Sequence, residues 1–361
     1  DKINIVKKNH EPELIMDCEI EVFNLENEKK ELVSANLTIL PLINEENEGR
    51  TDSQNQFLGT LLMLEDISSE KRMKSTMSRY MDPGIANQLL EEGADIMGGL
   101  DTTATLLFSD LRSFTNITES LGAQGTVKLL NEYFEIMVEC ITEQGGMLDK
   151  FIGDAIMAAF GLPIIHEDDE DRGVKAGINM IKKLWQWNEV RNKEGKPPLD
   201  MGLGLNTDKI VAGNIGSQKR MDYTMIGDGV NLAARLESAC KQYNARILIS
   251  DFTFKKLKGT YRIRYIDDVV VKGKTEPVGV HEVLDYHNDK TFPNLMDVVN
   301  HFNEGRKKYK IGDFTSSISS FQECLKVNSN DLLSKTYIER CEQLIKEKPK
   351  NWDGVWVMKS K

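Results

Sequence analysis

The sequence is short of cysteine in any useful arrangement. Its five cysteines (Cys18, Cys140, Cys240, Cys324 and Cys341) are scattered over 361 residues with no Cys-x-x-Cys spacing. That excludes a disulfide framework and a thiolate zinc site, and it fits reduced thiols in a cytoplasmic setting. The five histidines show no ligand spacing either. No apolar run approaches the length of a bilayer span, and no secretory leader is read. Positive charge is also short, with 46 Lys and Arg against 57 Asp and Glu, a net charge of -11. This argues against a nucleic-acid backbone as the main partner. It does not exclude a nucleotide, whose phosphates a local cation cluster or a metal ion can hold. What is present, 40% hydrophobic and 29% charged residues, is ordinary for a globular chain long enough for two or three domains. The first residue is Asp1 and the pattern opens in mid-run, so the chain is expected to be a piece of a longer protein, with an upstream sensor or membrane anchor left open.

Four segments are expected. Residues 1–67 read as β-rich, with strands at 35–42 and 57–67 and a polar loop at 44–54 between them. Two long strands closing on Glu65-Asp66-Ile67 resemble the end of a PAS sensor domain, the earlier PAS elements being unreadable; an unrelated β segment is the alternative. Residues 68–99 carry helical signals from Ser68 onward, and Met73, Met77, Tyr80 and Met81 fall at helical spacing. Such a stripe suits a dimeric coiled coil or a packed linker helix. Pro83-Gly84 breaks it, and a short helix is expected at 85–90.

Residues 100–287 are the densest region. Strands are expected at 103–108, 201–215, 222–226, 247–249 and 269–271, with a hairpin at 147–160 turning at Ile152-Gly153. Helices are expected at 123–140, with Val127, Leu130, Tyr133, Phe134 and Met137 on the apolar side, and at 168–187 and 228–240. Hairpins intrude into the alternation, so the fold class is α+β, and the order fits a ferredoxin-like β-α-β-β-α-β core. The acidic run 167–171 reads as a solvated first helical turn matched to the helix dipole. Residues 213–220 read as a glycine-bearing turn with two cations. Residues 288–361 turn helical, and Phe302, Gly305, Tyr309, Gly312, Phe314, Ile318, Phe321 and Leu325 suggest one hairpin of the tetratricopeptide kind. A single repeat cannot bury its own face and should pack on something.

Two carboxylates carry the first chemical signal. Asp110 ends an apolar strand, and Asp154 sits at the tip of the expected hairpin. In a ferredoxin-like sheet that strand and that hairpin are neighbours. Two acids there repel unless a cation lies between them, and a pair of Mg²⁺ ions bound by carboxylates and phosphate oxygens is the economical answer. Alone, either Asp reads as a helix or turn cap. Asn231 and Arg235 are i and i+4 and share one helix face, with small Ala233 and Ala234 between them; in isolation they read as a surface pair.

These segments, with the run from Tyr223 through Asp228 to Leu236, resemble the class III adenylyl and guanylyl cyclases over residues 100–287, in matching order and spacing. The resemblance implies a palm-type catalytic domain that works as a dimer with sites at the interface. It places Asp110 and Asp154 at the metal positions, for two Mg²⁺ or Mn²⁺ ions per site. Lys150 and Thr224 fall at the base-reading positions, Asn231 and Arg235 at the transition-state positions, and Lys272 at the phosphate-binding position. Every position is filled on one chain, which implies a symmetric homodimer with ATP as substrate. Lys150 is only a donor and a Thr hydroxyl can accept, which complements N1 and N6 of adenine; guanine would present a donor to Lys150. Guanylyl cyclases typically carry an acid at that position. Thr224 resembles the Thr-bearing subgroup, which includes bicarbonate-responsive enzymes, so bicarbonate sensitivity is left open. The rivals are a guanylyl cyclase and a non-catalytic nucleotide-binding signalling module. A diguanylate cyclase would carry Gly-Gly-Asp/Glu-Glu-Phe at its hairpin, which Lys150 to Asp154 does not match.

Overall fold

The structure, a computed structural model, describes residues 2–24, 29–44, 56–77, 85, 98–217, 220–269, 277–349 and 352–354. The chain divides into two compact units, Asp1–Gln88 and Leu89–Lys361. The first is a helix, α1 (Lys2–Asn9), and an antiparallel meander of β1 (Glu13–Asn24), β2 (Lys29–Asn44) and β3 (Gln56–Asp66), followed by α2 (Ser68–Met77). β2 and β3 are the two strands expected from sequence; α1 and β1 were not read there. Ser68 joins α2 to the sheet, its backbone N–H donating to Asp66 and its hydroxyl accepting from the backbone N–H of Ser34. Of the loop expected at 44–54, Asn44 ends β2 and the rest lies outside the described residues, as do Tyr80, Met81, Pro83-Gly84 and the helix after Ile85. Met73 is exposed.

The second unit is built on one mixed sheet. Its strands are β4 (Gly98–Leu111), β5 (Met147–Ile152), β6 (Ala155–Phe160), β7 (Met201–Ser217), β8 (Arg220–Ile226), β9 (Ile247–Ser250), β10 (Ile263–Val269) and β11 (Val278–Val283), in the order β10-β11-β9-β7-β4-β6-β5, with β8 paired to β7. Helices α3 (Phe114–Thr142) and α4 (Asp169–Lys193) connect β4 to β5 and β6 to β7. The segment β4-α3-β5-β6-α4-β7 therefore has the expected β-α-β-β-α-β order, with β4 between β7 and β6. Side chains of β4 and β7 alternate between the two faces. Leu107, Leu111, Leu203 and Leu205 pack with Tyr133, Met137, Val174 and Ile181 beneath α3 and α4. Val127, expected on the apolar side of α3, is exposed. β10 starts at Ile263, so the strand expected at 269–271 lies mostly earlier, and Val270 and Val271 fall outside the described residues.

The opposite face carries α5 (Asp228–Tyr243). Leu232, Leu236, Cys240 and Tyr243 recur at helical spacing and are buried. Gly204 is required beneath it: a Cβ there would meet the backbone of Glu237 at 2.2 Å and of Ala233 at 2.3 Å. The helix thus lies directly on the β7 backbone. One apolar cluster continues from α5 through Leu248, Ile266 and Val280 to Phe302, Tyr309, Phe321 and Tyr337. Those aromatic residues belong to α7 (Leu295–Lys310), α8 (Phe314–Val327) and α9 (Leu332–Glu347). Where one helical hairpin was expected, three helices stand, and they share their core with α5 and β10. The short α6 is Asp251–Phe254. Among the described residues no helix is long and apolar enough to cross a membrane.

The acidic run at the start of α4 corrects its sequence reading. Asp169 and Asp171 are buried. Asp169 accepts from the backbone N–H of His166 at 2.8 Å, and Asp171 accepts from Lys258 N, Gly259 N and the Tyr261 hydroxyl at 2.9, 2.8 and 2.8 Å. The short carboxylates fold back onto loop amides instead of facing water. In the expected turn at 213–220, residues Gly213 to Ser217 continue β7, and Gln218 and Lys219 lie outside the described residues.

Buried charge locks α7 and α9 to the sheet. Asp267 of β10 is fully buried and accepts from the Tyr243 hydroxyl of α5 at 3.0 Å, Arg306 of α7 at 3.3 Å and Arg340 of α9 at 3.0 Å. The Arg306 guanidinium also lies over the Tyr265, Tyr309 and Tyr337 rings. Replacing Asp267 with Ala removes the buried carboxylate that Arg306 and Arg340 share. Removing one partner of a buried ion pair costs about 3–5 kcal/mol. Urea unfolding of Asp267→Ala is expected to show a loss of that size; a loss below about 1 kcal/mol, the ordinary range for a surface pair, contradicts the reading.

Candidate active site

Asp110 stands at the end of β4 with its Cα paired to Gly202 of β7. Directly opposed residues share a face. A Cβ on Gly202 would meet Cys240 and Glu237 of α5, so Asp110 points to the α5 side. Asp154 follows Gly153, whose φ of 67° lets the β5–β6 hairpin turn tightly. Because β6 pairs with β4, that tip reaches the end of β4. The two carboxyls lie against one another, close enough to share a hydrogen bond. Burial pushes the Asp110 carboxyl up to about 7, with Asp154 next in effect and Glu237 adding to it, while Lys241 pulls it down. Burial raises the Glu237 carboxyl as well. Neither Glu237 nor Lys241 was singled out in the sequence; only the packing of α5 over Gly202 brings them here.

This pair fits a hard divalent cation. Its donors are carboxylate oxygens, which suit Mg²⁺ or Mn²⁺, and a cation between them would relieve the repulsion that adds to burial in lifting Asp110. Among the described residues no group of three or more His, Cys, Asp or Glu side chains forms a ready-made cage. Oxygens from elsewhere, such as phosphate, would have to complete the coordination.

Arg112, two residues beyond Asp110, fixes the strand end to α5. Its guanidinium donates to the Ala245 carbonyl and to that of Cys240 at 3.4 Å, and it lies 3.7 Å from Asp200. Asp200 is held in turn by Arg246 at 2.8 Å.

Lys150 of β5 and Thr224 of β8 meet. The ammonium donates to Thr224 Oγ1 at 3.1 Å. These residues are 74 apart in sequence and on strands that are not neighbours in the sheet, so the fold assembles the pair. Asp149, not recognised in the sequence, completes the cluster: its carboxylate lies 3.6 Å from Lys150 Nζ and 3.5 Å from Thr224 Oγ1.

Asn231 and Arg235 lie on the exposed side of α5, one turn apart, while Leu232, Ala233 and Leu236 are buried. Their direction is informative. Arg235 and Glu237 are two residues apart, which is about 200° around a helix axis. Glu237 faces Asp110 of its own chain, so Arg235 is turned away from that carboxyl pair. Lys272 lies outside the described residues.

Comparison with known proteins identifies the region. The adenylate and guanylate cyclase catalytic domain matches residues 100–286. The terminal-differentiation specific adenylate cyclase of Dictyostelium discoideum is 38% identical over 248 residues, 67% of this chain and 11% of that protein. The adenylate cyclase of Anabaena cylindrica is 37% identical over 186 residues, 50% of this chain and 36% of that protein. This chain therefore spans only a minor part of those relatives. Among solved structures, a bacterial light-regulated adenylyl cyclase matches 64% of this chain and 67% of its own at a TM-score of 0.54 and 24% identity, a likeness of fold. The chain belongs to the adenylate and guanylate cyclase catalytic-domain family.

Proposed function

We propose that this chain is an adenylyl cyclase, converting ATP to 3′,5′-cyclic AMP and pyrophosphate at sites shared between two copies of itself. Membership of the family leaves adenine and guanine open, since its domain spans both activities. The single observation that carries the choice is the contact between Lys150 and Thr224. A donor-only ammonium beside a hydroxyl that can accept complements adenine N1 and N6. Guanine, with a donor at N1 and an acceptor at O6, leaves buried groups unpaired.

In this reading the ribose 3′ oxygen bonds to the α-phosphorus, the bridge to the β-phosphate breaks, and pyrophosphate leaves with the bonding electrons as the hydroxyl proton is released. Asp110 and Asp154 would hold two Mg²⁺ or Mn²⁺ ions, which when bound would neutralise phosphate charge and acidify the attacking hydroxyl. Arg235 from the partner copy braces charge developing on the α-phosphate, and Asn231 beside it orients the ribose. Lys272 binds the phosphate chain. Positioning and fixed charge do most of the chemistry. Residues 1–67 act as the end of a PAS-like sensor that regulates the cyclase, a reading supported by the meander β1-β2-β3 running into α2.

The test is kcat/KM for ATP and GTP with Mg²⁺ and with Mn²⁺. Each unsatisfied group costs about 1–3 kcal/mol, so two mismatched contacts, if additive, predict an ATP preference from about thirtyfold to about twenty-thousandfold. Lys150→Glu combined with Thr224→Cys is expected to erode that preference. Equal use of both nucleotides by the unmodified protein, or full ATP preference in the folded and active double variant, refutes base reading by this pair.

A further inference from the structure

Consecutive residues of a strand point to opposite faces. Asp149 and Lys150 depart from that rule. In the β5–β6 ladder Leu148 opposes Ala158 and Lys150 opposes Met157, so Asp149 is the extra residue of a β-bulge. Bulges re-aim side chains, and this one turns both neighbours toward Thr224. The Asp149 side chain is only 2% exposed, against 39% for Lys150. It is a buried carboxylate set against both base-reading side chains.

Proton counting gives the pair a direction. An ammonium has only protons to offer, so Lys150 donates to Thr224 Oγ1. The hydroxyl's single proton then needs an acceptor, and Asp149 Oδ2 lies 3.5 Å from Oγ1. With its proton committed there, Oγ1 meets an incoming base as an acceptor. Adenine brings the N6 amino donor to such a group, whereas guanine brings the O6 acceptor. We propose that Asp149 fixes the hydrogen-bond polarity of Thr224 and is thereby a specificity-determining residue for ATP over GTP. The inference rests on the reading of Lys150 and Thr224 as the base-reading pair. Asp149 acts through Thr224 and is a positioning residue. Burial holds its carboxyl above the ordinary carboxylate range, against the downward pull of Lys150 and of the Thr224 hydroxyl.

The experiment compares kcat/KM for ATP, GTP and ITP in the full chain, in Asp149→Asn, Thr224→Val and the double variant, alongside thermal unfolding. Asn has the shape of Asp and can donate to Oγ1, which frees the hydroxyl to donate toward O6. ITP carries the O6 and N1 groups of guanine without its 2-amino group, which separates polarity from size. Asp149→Asn is expected to lower both the ATP/GTP and ATP/ITP ratios at least about tenfold. The loss with ATP is expected in KM more than in kcat. In the Thr224→Val background the same replacement moves the ratios by less than about twofold. If Thr224→Val leaves selectivity intact, the base-reading pair itself is wrong. If Thr224→Val lowers selectivity and Asp149→Asn does not, or does so equally with and without the hydroxyl, the pair stands and the role of Asp149 is overturned. A uniform loss of kcat for all three nucleotides at unchanged ratios marks a structural role and also overturns it. Should Asp149→Asn fail to fold, Asp149→Ala is judged on the same ratios.

Discussion

Asp110→Ala and Asp154→Ala each lower cyclic AMP formation from ATP at least about a thousandfold, because metal stabilisation of transition-state charge is worth several kcal/mol and each 1.36 kcal/mol is tenfold in rate. The expectation rests on how the two side chains are placed. They come from a strand end and a hairpin tip that only the β4–β6 pairing brings together, and they share a space in which burial and mutual repulsion lift Asp110 to about 7. A fold gains nothing from such a pair by itself. The arrangement is intelligible if a cation and a triphosphate complete it. Removing one carboxylate removes a like-charged neighbour, so the thermal midpoint is not expected to fall, and loss of turnover without loss of fold is the distinguishing result. Turnover is measured on purified full chain with saturating Mg²⁺ and again with Mn²⁺, with unfolding followed by circular dichroism. Either variant folding normally and turning over at a near-normal rate ends the two-carboxylate reading.

Local chemistry marks Asp110, Asp154, Asn231 and Arg235 in the sequence, but their roles, like the choice of Lys150, Thr224 and Lys272, came from the cyclase resemblance. Asp110 terminates a buried apolar run, Asp154 follows a glycine at a hairpin tip, and Asn231 and Arg235 sit one turn apart on an amphipathic helix. Strand and helix period therefore placed them, and the β-α-β-β-α-β order followed from the same periodicity. What stayed hidden depends on departures from the period or on distant packing. Asp149 next to Lys150 reads as pointing the other way until a bulge inserts it, and one inserted residue carries no signature in its own sequence. Glu237 and Lys241 reach Asp110 only because Gly202 and Gly204 admit α5 onto the strand. The buried Asp169 and Asp171 were read as solvated, since an acidic first turn looks the same whether it meets water or loop amides. The third C-terminal helix was missed because its apolar residues are mixed with charge, and that charge is spent inward: Arg340 of α9 is buried against Asp267.

Mixing two inactive variants restores activity if the site is divided between copies as proposed. Arg235→Ala is expected to lower turnover about 10²–10³-fold, the usual effect of removing one transition-state donor, and Asp110→Ala lowers it further. Neither homodimer then has a whole site. In a mixed dimer, one site carries both lesions and the other carries none, since the intact Asp110 and Asp154 of one copy meet the intact Asn231 and Arg235 of the other. Random exchange at equal concentrations makes half of the dimers mixed, each with one whole site of two, so recovery to about one quarter of unmodified activity is expected for a symmetric two-fold assembly. The direction of α5 supplies the physical reason. Glu237 faces its own chain's Asp110, and Arg235 lies about 200° around the same helix. In the proposed two-fold dimer one copy therefore gives its metal pair to one site and its arginine to the other, both facing the same partner. Subunit exchange is verified independently, by differently tagged copies recovered together after incubation. If exchange is complete and turnover stays at the level of the parents, each chain carries its own site and the shared-site arrangement is wrong. If Asp110→Ala mixed with Asp154→Ala recovers equally, the two carboxylates are not acting from one chain, and that pairing fails instead.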